Sequence, residues 1–72
     1  MRHYDFELVK DGSVVVSSRA VPLPSVAAAW PLIKAMARTI ECAGLRIRVR
    51  DEAGGIVILT GIASAKRLAR EH

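Results

Sequence analysis

The chain is poor in the residues that build small chemical sites. It has one cysteine, Cys42, two histidines at opposite ends, His3 and His72, and three aromatics, Tyr4, Phe6 and Trp30. A lone cysteine rules out an internal disulfide and a thiolate metal cluster. Two terminal histidines offer no metal-ligand spacing and no Ser-His-Asp set. Gly54-Gly55 lacks the Lys-Ser/Thr and the following helix of a phosphate-binding loop. No catalytic residue, metal ligand or cofactor is therefore expected, and the reading is of a protein that is not an enzyme. Long apolar runs are missing too. The least polar stretch, Val26 to Ala37, contains Pro31 and Lys34 and is far shorter than the roughly 20 residues that cross a bilayer. The first residues alternate charge with aromatics, unlike a signal peptide. With one free cysteine, this points to a cytoplasmic protein without a membrane partner.

What is present is aliphatic. Of 72 residues, 51% are hydrophobic, and Val, Ile and Leu supply 20 of them. A chain this short buries only about 60% of its unfolded surface and gains from oligomerisation. Ile56-Val57-Ile58-Leu59 is apolar at every position, although one face of a small sheet should be wet. These four residues are the expected interface, with a second copy of the chain as the expected partner and an unidentified protein as the other.

Periodicity sets the elements. His3 to Lys10 alternates, with Tyr4, Phe6 and Leu8 on one face and His3, Asp5 and Glu7 on the other. Asp11-Gly12 is a hairpin turn, and Ser13 to Ser17 is the return strand. Val21-Pro22-Leu23-Pro24 cannot be a central strand, because proline lacks a donor. Ser25 is a good N-cap. From there Val26, Ala29, Trp30, Ile33, Met36, Ala37 and Ile40 recur at helical spacing, with Lys34, Arg38 and Glu41 off the stripe. Ala43-Gly44 ends the helix. Pro31 implies a kink or a short first turn with the main helix starting near it. Leu45 to Arg50 alternates aliphatic and arginine, Asp51 to Gly55 is turn chemistry, and Ile56 to Leu59 returns.

The fold class is therefore α+β, a ββαββ chain with a small antiparallel-rich sheet and one helix on one face. A single domain spans residues 1–61, followed by a basic tail, 62–72, with a short helical segment. Asp5 and Glu7 opposite Arg46, Arg48 and Arg50 favour the first and third strands as neighbours.

Order and turns together resemble a family of small, mostly alphaproteobacterial proteins filed as a domain of unknown function. The likeness rests on His3-Tyr4-Asp5-Phe6, the Leu23-Pro24 lead into the helix, and Val49-Arg50-Asp51-Glu52-Ala53-Gly54. It covers roughly residues 2–60, with Ser25 where aspartate is commoner and Pro31 inside a usually continuous helix. It implies a bacterial protein of this fold and brings no activity or site with it. A fainter likeness runs to antitoxins with a small sheet-and-helix domain.

The net charge is +4, half of it in residues 62–72. Arg46, Arg48 and Arg50 recur about 7 Å apart along one strand face, near the spacing of phosphates on a nucleic-acid strand. With Lys66, Arg67 and Arg70 of the tail they are the candidate anion contact. An ordinary solvated, ion-paired face reads the same way. Single-strand binders interleave exposed aromatics for base stacking, whereas Tyr4, Phe6 and Trp30 fall on core faces here. The sequence thus supports a non-catalytic, homo-oligomeric interaction module first. A weak, sequence-independent nucleic-acid binder or antitoxin-like regulator comes second.

Overall fold

The structure, a computed structural model, describes residues 1–39, 44–62 and 67. Four strands and one helix follow in the order β1 (Arg2–Lys10), β2 (Ser13–Leu23), a 3₁₀ turn (Val26–Ala28), α1 (Ala29–Thr39), β3 (Arg46–Arg50) and β4 (Ile56–Gly61). The strands form one antiparallel sheet in the order β2-β1-β3-β4. This is the ββαββ arrangement the sequence implies, with β1 and β3 side by side.

Each hairpin is set by its turn. Asp11 and Gly12 both take positive φ, 51° and 79°, as a two-residue turn matched to strand twist requires. The second turn is organised by Asp51. Its Oδ1 accepts from the Ala53 N–H at 3.0 Å and from the Gly55 N–H at 2.8 Å. Its backbone oxygen accepts from the Gly54 N–H at 3.0 Å, and Gly54 takes the left-handed φ of 87° that glycine tolerates best.

The helix lies on the face formed by Tyr4, Phe6, Leu8, Ile47 and Val49. Ala29, Ile33 and Ala37 are fully buried against it, and Trp30 and Met36 are half-buried at its sides. Ile33, Ile47 and Val49 are the largest fully buried side chains, each contributing about 1.5–3 kcal/mol by leaving water. Pro31 is the third residue of α1, where its missing N–H has no helical acceptor to lose. A 3₁₀ turn precedes it, so the second of the two expected geometries holds. Ser25 occupies the N-cap of that turn in extended backbone, but its side chain makes no capping bond. The turn is closed instead by the Ala28 N–H donating to the Ser25 carbonyl at 3.2 Å. Ile40 to Ala43 lie outside the described residues, and Gly44 has φ 84°.

Strand β2 is longer than its period suggests. It continues through Pro22 to Leu23, which an edge strand permits because its outer side pairs with no described residue. Two bulges absorb the extra length. Val15 is inserted between the Leu8–Val16 and Val9–Val14 pairs, and Arg19 and Ala20 together oppose Asp5. Ala20 has φ 57°, and its N–H donates to Asp5 Oδ1 at 2.9 Å.

Ile62, assigned by sequence to the tail, is 4% exposed and belongs to the core. Its N–H donates to the Leu45 carbonyl at 3.0 Å, one residue beyond the last β3–β4 pair. Of the other tail residues only Arg67 is described, and it is exposed. Lys66 and Arg70 lie outside the described residues.

Candidate interaction surface

The face of the sheet opposite α1 is uncovered among the described residues. Strand alternation places His3, Asp5, Glu7 and Val9 of β1 there, and Arg46, Arg48 and Arg50 of β3. Pairing then fixes the contacts. Glu7 stands opposite Arg48, and its Oε1 accepts from Arg48 Nε at 2.7 Å and from Arg50 Nε at 2.9 Å. Arg50 also donates through Nη1 to the Gly54 carbonyl at 2.9 Å, tying the row to the turn. Hydrogen bonds from the two guanidinium groups, Arg48 first, hold the Glu7 carboxyl below the ordinary value of 4.5, against a smaller opposing effect of burial. Asp5 faces Arg50 in register but is engaged by the β2 bulge. The expected charge pairing is therefore carried by Glu7 alone.

The three arginines differ as a result. Arg48 and Arg50 are partly buried and ion-paired. Arg46 is exposed, and its guanidinium forms no ion pair with a described residue. No aromatic shares the face: Tyr4 and Phe6 are 2% and 3% exposed beneath the helix, and Trp30 packs on the core.

Strand β4 closes one side of the sheet, and its four aliphatics are not equivalent. Ile58 pairs with Val49 and is 7% exposed, so it is a core residue. Ile56, Val57 and Leu59 are 52%, 36% and 55% exposed. Leu59 opposes Arg48 by ordinary alternation, and beyond Ile58 a bulge sets Ile56 opposite Arg50 and leaves Val57 unpaired. Ile56 and Leu59 therefore share the arginine face. With Val9, Arg46 and Arg48 they line an open depression of about 440 Å³. Ile58 drops out of the expected interface; the other three remain available to water.

A second apolar surface lies at the far side. Val14, Val15 and Val16 of β2 are exposed, as is Leu32 of α1. Phe6, Val21, Leu32 and Met36 border a shallow groove between helix and strand there. The bulges at Val15 and at Arg19-Ala20, with Pro22 beyond them, break the outer side of β2 into short pieces.

His3 is exposed, and its backbone N–H donates to Glu52 Oε1 at 2.7 Å. Cys42 lies outside the described residues. Among the described residues no group of three or more His, Cys, Asp and Glu is placed to hold a metal ion. No described helix is long and apolar enough to cross a membrane.

Sequence reasoning missed Val9 and Gly61. Val9 belongs to the wet face by simple alternation. Gly61 carries the signal of a glycine inside a strand, which marks a close approach or a bend.

Comparison with known proteins found no matching family model, no similar curated protein and no similar solved structure.

Proposed function

We propose that the chain is a non-catalytic protein-interaction module that associates with copies of itself through β4. One observation carries this reading. Ile56, Val57 and Leu59 are exposed on a strand whose outer side pairs with nothing among the described residues. Exposed aliphatics clustered on an open strand mark a contact surface or an aggregation hazard. For a small chain, covering them with a second copy also adds the core that its length denies it.

The arginine row supports this assignment over nucleic-acid binding. Arg48 and Arg50 share Glu7, and the face presents no aromatic for base stacking. A carboxyl held below the ordinary range is also the reverse of what a general acid needs near neutral pH.

The test is the mass of the purified protein at tens of micromolar, for wild type and for Leu59→Lys. Leu59 is exposed, so its replacement leaves the fold intact and should yield monomers. Ile58→Lys does not serve here, since it places a charge in the core and unfolds the chain. A wild type that stays monomeric, or a Leu59→Lys variant with unchanged mass, ends the proposal.

A further inference from the structure

The two sides of the sheet are not equally protected. Along β2, bulges, Arg19 and Pro22 interrupt any strand that would pair with it. Along β4, Ile56 to Gly61 carries no charge and no proline. Its single bulge sits at the turn end, so the ladder from Ile58 to Gly61 is regular. The Ile62 N–H points at Leu45 of β3. In an antiparallel strand the backbone donor and acceptor of one residue point to the same side, and the side alternates. Thr60 and Ile58 therefore address β3, while Leu59 and Gly61 turn both their N–H and C=O groups outward.

Building on the self-association reading above, we infer that two copies join β4 to β4 about a two-fold axis at Thr60, continuing one sheet through the dimer. In this register Leu59 lies opposite Gly61 of the partner subunit, and each exchanges both backbone bonds with the other. Two features of the strand favour its own copy as the occupant. The pattern Leu59-Thr60-Gly61 is self-complementary: a large side chain on the outer face meets a glycine across the axis. A Cβ built on Gly61 finds no atom within 4 Å among the described residues, which leaves room for Leu59 of the partner subunit. An uncharged strand also meets its own copy without like-charge repulsion, which an arginine- or lysine-bearing edge would not.

Disulfide trapping fixes the register. Thr60 faces Thr60 of the partner subunit as a non-hydrogen-bonded pair, with Cα atoms about 4.5 Å apart, inside the range a disulfide spans. Leu59 meets its own copy only diagonally, at about 7–8 Å. In a Cys42→Ser background, Thr60→Cys should oxidise to a covalent dimer while Leu59→Cys should not. Gly61→Val should leave the circular dichroism spectrum unchanged and weaken dimerisation by about tenfold, through crowding against Leu59 of the partner subunit. Two results overturn the inference while leaving self-association standing: Leu59→Cys dimers without Thr60→Cys dimers, or a Gly61→Val dimer as tight as wild type. A monomeric wild type, or β4 bound only to another protein, overturns both readings.

Discussion

Glu7 is the charged residue on which the wet face turns. One carboxylate oxygen receives both guanidinium groups, so its loss leaves two partly buried cations without an anion. Glu7→Gln should cost about 1–2 kcal/mol at neutral pH, read from urea unfolding. The sign of the pH dependence follows from the lowered Glu7 pKa. A carboxyl depressed in the folded state contributes stability above its unfolded value and loses it as pH falls through the folded value. Wild type should therefore weaken, relative to Glu7→Gln, as pH drops below about 4.5; parallel curves down to acid would refute this role. Asp51 is the equivalent residue of the second turn. Asp51→Ala removes the acceptor for Ala53 and Gly55 and should lower stability by about 1–2 kcal/mol in the same assay. An unchanged midpoint would mean that the glycines set the turn unaided.

At the scale of elements, what was legible in the sequence followed where a period was unbroken. Tyr4, Phe6 and Leu8 alternate without interruption, as do Leu45, Ile47 and Val49, and all six are buried. Asp11-Gly12 and Gly54 announce their turns because positive φ demands few residue types. The length of β2 was hidden, because Pro22 argues against a strand unless its edge position is known. Inserting Val15 and the Arg19-Ala20 pair also breaks the period of two. The division within Ile56 to Leu59 was hidden for a related reason: four aliphatics in a row have no alternation to read, and a bulge then shifts the face. Charge pairing was half legible, since strand neighbours can be guessed from opposite charges but the bulge that captures Asp5 cannot. Helix α1 gives a direct check on its geometry. With Pro31 in the first turn, Pro31→Ala should change stability by less than about 1 kcal/mol. A proline inside one continuous helix would instead give a gain of about 3 kcal/mol on replacement. Thermal unfolding followed by circular dichroism separates the two.

The whole molecule is a two-layer slab, with extents of 30 × 29 × 16 Å over its described residues. One layer is the helix, the other the sheet, and the sheet's second face and both of its edges are open among the described residues. A chain of 72 residues built this way buries one apolar face well and leaves aliphatics at the sides of the sheet. The bulged side of β2 is poorly suited to pairing, and the regular, uncharged side of β4 is well suited. Self-association links folding to concentration, because whatever binds only the folded state stabilises it by mass action. The central claim is that β4 is an interface, and sedimentation equilibrium across a hundredfold range of concentration tests it most directly. The account predicts a wild type that shifts from monomer to dimer within that range and a Leu59→Lys variant that remains monomeric and folded throughout. A wild type that stays monomeric at the highest concentration would contradict it.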